Sequence, residues 1–418
     1  MRQDSAVTSS PDAPDTPDTP DAPAELSRSS SLSRLLTLVH RHGVLSRARL
    51  TKLTGLNRST VSVLVSQLVA GGLVVEAAPA AGAQVGRPSP EVRPDRAVVA
   101  LAVNPEVDAV TIGLVGLGGR VIKKIRYKTE RIPTAAEAVN IAAAVIDGMR
   151  GELNSGFRVV GIGVAVPGLV SAADGLVRHA PHLGWHNEPL AQMLAAATGY
   201  AVTVSNDASI AAEAEMTFGA AAGARDVVYL NGGASGIGGG IITEGRLLAG
   251  HCGYAGELGH TLVRSDGATC HCGARGCLET EVRQEPLLRL VMLDDGEPGG
   301  LAASLAASRD PEVAAEVRRQ LAFLAVALRT VVNVFNPEAI VLNGFLAALD
   351  AAAPGVLAAG VSAQALAEPA AQVRISAATL GADLMMVAAA ELAFAPLLAD
   401  PAAFAPLLAD PAAFARPS

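Results

Sequence analysis

The spacing of apolar positions divides the chain into two unlike parts. In residues 31–42 (SLSRLLTLVHRH), Leu32, Leu35, Leu36 and Val39 recur at helical spacing, and Gly43 marks the end. Ser46 is placed to cap a second helix, RARLTKLTG, with Leu50 and Leu53 pointing inward. The tight turn Gly55-Leu56-Asn57 leads into a third, RSTVSVLVSQLVAGG, whose inner face is Val61, Leu64, Val65 and Leu68. Its outer face opens with Arg58, Ser59, Thr60 and Ser62. Residues 73–76 read as a strand, and a loop from Ala77 to Gln84 runs on to the basic tip Gly86-Arg87-Pro88. This order predicts a helix-turn-helix followed by a wing. From Arg96 the pattern becomes strand-like: VVALAV, VTIGLVG and RVIKKIRY predict an antiparallel meander, followed by a helix and the buried strand VVGIGVAVPG. Later come the strand AVTVSND, the helix ASIAAEAEMTFG, the strand DVVYLNGG, a long helix over residues 311–336 and the strand AIVLNG. Strands and helices mixed in two similar halves predict a two-lobed α/β body.

The two ends depart from these periods. Residues 1–30 repeat Asp, Pro, Thr and Ala, with too little apolar surface to offset ordering entropy, and are expected to be a disordered arm. The decapeptide FAPLLADPAA at Phe394 recurs at Phe404, which reads as a duplication without function, trailing off a terminal helix. The expected division is an arm (1–30), a winged helix-turn-helix (31–95), a two-lobed body (96–398) and a repeat-bearing tail (399–418).

Composition refines this picture. The 418 residues are 50% hydrophobic but only 3% aromatic, so Ala, Val and Leu must fill the cores. A net charge of -8 excludes a protein that coats nucleic acid uniformly. The basic residues nevertheless gather in one place: between Ser27 and Arg96, ten Lys/Arg residues are opposed only by Glu76, Glu91 and Asp95. That asymmetry is the electrostatic footprint of a DNA-binding head on an acidic body. Arg47, Arg58, Ser59, Thr60 and Ser62 are the candidate contacts to major-groove bases or phosphates, and Arg87 is the candidate for a minor groove. A three-helix protein-interaction bundle is the competing interpretation. The first twenty residues lack an apolar targeting core and no uninterrupted apolar stretch suits a bilayer, so a cytoplasmic, membrane-free setting is expected.

Cys270, Cys272 and Cys277 cluster after His260, with Cys252 nearby. Three thiolates and one imidazole match a closed tetrahedral structural zinc site, one zinc per chain. His260 is the preferred fourth ligand and His271 the competitor; a group of redox thiols is the alternative.

Several blocks together resemble the ROK family (repressors, open reading frames and sugar kinases). They are Gly71-Gly72, Gly86-Arg87-Pro88, APHLGW at 180–185, Asn206-Asp207, GIGGGI at 236–241, Glu257-Leu258-Gly259-His260, the Cys-X-Cys-Gly-X-X-Gly-Cys-X-Glu block ending at Glu279, and Asn336-Pro337-Glu338. The resemblance implies an actin/hexokinase-like (ribonuclease H-like) body whose lobes close on a sugar. It also implies that Asn206, Asp207, Glu257, His260 and Glu279 hydrogen-bond sugar hydroxyls, with zinc shaping the loop.

A kinase of this family carries a phosphate loop of the form Asp-X-Gly-Gly-Thr in its opening hairpin. Here the corresponding stretch is Asn104-Pro105-Glu106-Val107-Asp108, and the adenosine-side glycine pair reads Asn343-Gly344-Phe345. Carboxylates and side-chain bulk replace the backbone cradle that phosphates need. The expectation is a non-catalytic regulator, a repressor of carbohydrate genes such as those of xylose metabolism. It would bind operator DNA as a homodimer or homotetramer and answer to a sugar or sugar phosphate. The alternatives are an ATP-dependent sugar kinase with a fused DNA-binding head, or a corepressor-like module whose sugar site is vestigial.

Overall fold

The computed structural model describes residues 22–78, 89–233, 235–293 and 300–404. The wing loop with Arg87 and the second decapeptide beyond Phe404 lie outside the described residues.

The head is built as the periodicity requires. Helix α1 (Ala22–His42) packs on α3 (Arg58–Ala70) and α2 (Arg47–Thr54). Strands β1 (Leu45–Ser46), β3 (Glu91–Pro94) and β2 (Val74–Ala77) form a small antiparallel sheet in the order β1-β3-β2. The inner faces foreseen from spacing are buried: Leu35, Leu36, Val39, Leu50, Val61, Leu64, Val65 and Leu68. Ser46 caps α2 by accepting from the Arg49 N–H, and Gly55 ends it at φ 72°. Helix α1 begins at Ala22, so the stretch from Ala22 to Ser30 is helical, where an unstructured arm was expected. Its continuity with the amphipathic residues 31–42 accounts for the extension, since propagating a helix costs less than starting one.

The body consists of two lobes on one plan. In the first, β4 (Val98–Pro105), β5 (Ala109–Gly116) and β6 (Arg120–Lys128) form an antiparallel meander. Helices α4 (Ala135–Gly148) and α5 (Arg150–Gly156) lead to β7 (Arg158–Val166), parallel to β4. A three-stranded insert follows, β8 (Leu169–Val170), β9 (Val177–Ala180) and β10 (Trp185–Glu188). Helix α6 (Leu190–Thr198), β11 (Val202–Asn206) and α7 (Asp207–Phe218) complete the lobe, with sheet order β11-β7-β4-β5-β6.

The second lobe repeats the plan. The meander is β12 (Val227–Gly233), β13 (Gly236–Thr243) and β14 (Arg246–Leu247). Short helices α8 (Leu278–Glu281), α9 (Gln284–Leu290) and α10 (Gly300–Ala307) precede the long α11 (Pro311–Phe335). Asp310 caps α11 at one end, and Asn336, left-handed at φ 46°, closes the other. Strand β15 (Ala339–Gly344), helices α12 (Phe345–Ala352), α13 (Val356–Ser362) and α14 (Ala367–Gln372), and β16 (Arg374–Ala377) give sheet order β14-β13-β12-β15-β16. A meander continued by parallel strands, found twice, is the actin/hexokinase-like arrangement.

Helix α15 (Leu384–Ala399) returns to the first lobe. It is apolar and long enough to cross a bilayer by length and composition, yet half of that stretch is buried. It lies against the first sheet so closely that a Cβ on Gly163 of β7 would sit 1.7 Å from the Ala389 carbonyl oxygen. Phe394 and Leu397 of the first decapeptide are fully buried, Pro401 is buried and Phe404 packs on the same core. The tail is therefore built into the core as far as Phe404, which corrects its expected description as a trailing segment; its apolar residues have a sheet and α1 to bury against.

Candidate functional site

Head and body share one hydrophobic core, and three polar joints fix their geometry. Arg158 of β7 reaches the Gly72 carbonyl (2.6 Å) and Asp95 (2.7 Å). Gly72 has φ 66°, a conformation that favours glycine, and a Cβ there would push the Arg158 guanidinium, 2.1 Å away, out of this joint. Ser33 of α1 donates to the Leu398 carbonyl of α15 (2.6 Å). The third joint is His40, only 1% exposed. Its Nδ1 accepts from the Gly118 N–H (2.9 Å), so Nε2 is the donor to both Glu391 carboxylate oxygens (3.0 Å each). The ring packs on Phe218 and Phe394, at centroid distances of 5.2 and 5.6 Å.

Helix α7 links that joint to the cleft between the lobes. Asn206 and Asp207 stand at its start and Phe218 at its end. The fully buried Glu215 accepts from the backbone N–H groups of Ala220, Thr379 and Leu380, holding the approach to α15. Glu213, also on α7, is pushed up to about 7 by burial and then by the charge of Glu391. Because these contacts join residues up to 365 positions apart, periodicity and motif spacing did not reveal them.

All five sugar-side candidates, Asn206, Asp207, Glu257, His260 and Glu279, line one cavity of about 500 Å³. Asn206 is mainly a scaffold there: Oδ1 caps α7 at the Ser209 N–H (2.9 Å) and Nδ2 holds the Gly168 carbonyl (3.0 Å). Asp207 accepts from the Ala208 N–H, and burial pushes its carboxyl up to about 6 despite that bond. Burial also raises Glu257. His182 of the APHLGW block is held below its usual value by burial, and with Asn231 of β12 it adds lining that was not singled out as a site residue.

The thiol cluster forms as its spacing suggested. One donor atom from each of His260, Cys270, Cys272 and Cys277 lies within 4.8 Å of every other. A tetrahedron with Zn–S of about 2.3 Å and Zn–N of about 2.0 Å has S···S edges near 3.8 Å and S···N edges near 3.5 Å. Observed are 3.8 Å for Cys272 Sγ to Cys277 Sγ and 3.6 Å for Cys270 Sγ to His260 Nδ1. The residues therefore fit a zinc ion. His271 instead places Nδ1 3.0 Å from Glu279 Oε1 and is exposed. Burial and the Glu279 carboxylate push the Cys270 thiol up, so a thiolate there calls for a cation. Cys252 is exposed and outside the cluster.

In the head, Asn57 caps α3, accepting from the Thr60 N–H (2.8 Å) and the Ser59 hydroxyl (2.7 Å). Arg58 and Ser59 are exposed at the start of α3, with Thr60 partly so. Arg47 and Ser62 sit differently from the expectation of free contacts. Arg47 holds Glu76 of β2 through two bonds (2.5 and 2.6 Å) and donates to Ser62 Oγ (2.8 Å), bracing sheet to helix.

The opening hairpin places Asn104 at the end of β4, buried at 7% exposure, with Glu106 and Asp108 in the turn. Both carboxylates face Arg126 of β6, at 3.3 and 2.7 Å, and Glu106 also accepts from Thr111 (2.9 Å). On the other lobe Asn343 donates to Asn231 (3.0 Å), and the buried Phe345 packs so closely that a Cβ on Gly232 would lie 2.7 Å from its ring.

The profile of the ROK family matches residues 101–395. A glucokinase of Halalkalibacterium halodurans is 34% identical over 262 residues, 58% of this chain and 79% of that protein. A xylose repressor of Caldicellulosiruptor bescii is 30% identical over 322 residues, 72% of this chain and 79% of that protein. Among solved structures, a ROK family transcriptional regulator, a homologue of the E. coli MLC protein, superposes with a TM-score of 0.74 at 24% identity. That superposition covers 93% of this chain and 99% of the other and shows the shared fold.

Proposed function

This chain belongs to the ROK family, and from that premise we propose that it is a sequence-specific transcriptional regulator, a repressor of carbohydrate genes, controlled by a sugar in the cleft. The observation that carries this reading is α7, one rigid element that begins among the sugar-side residues and ends on His40 of the DNA-binding head. A ligand shifts a two-state equilibrium only through contacts that differ between the states. A sugar held by Asp207 and Glu257 acts on the element that carries Glu213, Glu215 and Phe218, and through them on α15 and α1. Asp207, Glu257, His260 and Glu279 are the proposed hydroxyl partners, with Asn206 orienting the loop. Arg58, Ser59, Thr60 and Arg87 are the proposed DNA contacts, with Arg47 and Ser62 bracing them. Paired heads in a homodimer or homotetramer would read half-sites about one helical turn apart.

Zinc, held by His260, Cys270, Cys272 and Cys277, would fix the loop that presents Glu279 and Glu257. The phosphate side argues against phosphoryl transfer: Glu106 and Asp108 occupy the turn where a polyphosphate would need backbone N–H groups. A xylose repressor covering 72% of this chain supports the regulator reading.

A second reading, an ATP-dependent sugar kinase with a fused head, is favoured by two observations. Asp207 has the raised carboxyl that suits a general base, and glucokinases stand among the relatives at 34% identity. Mobility shifts on promoter DNA beside the chain's own gene and neighbouring sugar genes test the first reading. It expects a sequence-specific, salt-steep complex released by a sugar; no binding to any such fragment counts against it.

A further inference from the structure

The sugar cavity opens into a second chamber of about 400 Å³, and the two share Pro167, His182, Asp207, Asn231 and Ser235. Each is of the size of a small-molecule pocket, roughly 300 Å³ or more, so one ring in the first leaves the second available. The second chamber lies against the altered hairpin and the start of α15, lined by Asn104, Glu106, Asn343, Leu384 and Met385. We propose that it is a subsite for an uncharged glycosyl unit, so that the effector is an unphosphorylated disaccharide or longer saccharide spanning both chambers. The proposal rests on the sugar-sensing reading above.

Three observations carry it. The first is Asn104, whose side chain is more than nine-tenths buried, lines the chamber and makes no side-chain hydrogen bond among the described residues. Its amide atoms are not sealed from solvent, so they face the chamber open to a ligand hydroxyl, which supplies both a donor and an acceptor. The second is the charge of the wall. Its lining includes no lysine or arginine, while Asp207 and Glu106 present carboxylates. The first turn of α15 brings about half a positive charge. Against it stand the Asp207 carboxylate and the Glu106 carboxylate shared with Arg126, while Asp383 at that helix's own start is paired with Lys124. A dianionic phosphoryl group finds no lysine or arginine in the lining to pair with and faces the Asp207 carboxylate, whereas a hydroxylated ring meets acceptors, amides and the apolar surface of Leu384 and Met385. The third is position: those two residues open α15, whose far end holds α1 through Glu391 and Leu398. A second ring therefore touches the element that carries the head.

Titration calorimetry of the full-length, zinc-loaded chain with neutral pentoses and hexoses, their disaccharides and their monophosphates tests this. At least one disaccharide is expected to bind about tenfold tighter than either of its component sugars, the worth of one added hydrogen-bonded contact. Asn104→Leu should shrink that disaccharide-to-monosaccharide ratio toward one. Should that variant fail to fold, Glu106→Gln on the hairpin turn should raise affinity for sugar phosphates several-fold. Monosaccharides binding as tightly as every disaccharide, or a sugar phosphate binding most tightly, would overturn the subsite. Silence toward every saccharide would overturn the sensing reading itself and the subsite with it.

Discussion

The two walls of the cleft differ in what they offer a ligand. The sugar-side wall collects Asp207, Glu257, Glu279 and His260 around one cavity, two of its carboxyls raised by burial and its loop gathered by four residues that could hold a metal ion. The opposite wall turns its carboxylates toward Arg126 and fills the approach over Gly232 with Phe345. One wall gathers carboxyls and an imidazole around a cavity; the other ties its carboxylates into ion pairs with Arg126.

The contrast can be broken most forcefully at the metal. Chelation, or Cys272→Ser, should collapse the loop that presents Glu257 and Glu279, because structural zinc contributes roughly 10–16 kcal/mol of apparent binding free energy in small sites. Loss of sugar binding together with a lower unfolding temperature in calorimetry is the expected outcome; unchanged sugar affinity after complete metal removal would detach zinc from the sugar wall.

The next largest effect belongs to the joint. His40→Ala leaves the Gly118 N–H and the Glu391 carboxylate without their partner, at a cost of about 2–4 kcal/mol. Sugar affinity should hold within a few-fold while release from DNA by sugar is lost; intact release would show that coupling takes another route.

On the sugar wall itself, Asp207→Asn removes a charged acceptor and should weaken binding by about 1.5–3 kcal/mol, some 10- to 100-fold. Because the Asp207 carboxyl titrates at about 6, sugar affinity should fall as pH drops through that value. The stability contribution has the opposite sense. A folded value above the unfolded one of about 3.9 favours the folded state below that value, and the benefit is lost as pH rises from about 4 to 6. Calorimetric titrations between pH 5 and 8 check the first, thermal unfolding across pH 3 to 7 the second.

The smallest effect is on the head. Arg58→Ala should reduce the slope of log affinity against log salt by about 1 if it contacts a phosphate.

What could be read in the sequence followed locality. The head's helices were legible because Leu35, Val39, Leu64 and Leu68 repeat at helical spacing and Ser46 and Asn57 are local caps. The metal cluster was legible because its ligands lie within residues 260–277. His40, Glu215 and Glu391 were not, because their roles depend on α15 returning to the first lobe, which no local pattern encodes. The Arg47 ion pair was illegible for the same reason: its partner, Glu76, lies 29 residues away, beyond α3. That Pro401 and Phe404 meet the core was not legible, because the surface they pack on belongs to distant elements.

The central claim is tested most directly by coupled ADP release, using the zinc-loaded chain with magnesium and ATP over a panel of pentoses, hexoses and disaccharides. No sugar-dependent ADP above background is predicted, including for the sugar that releases the DNA. Turnover of about 1–100 s⁻¹, the ordinary range for kinases, would contradict it.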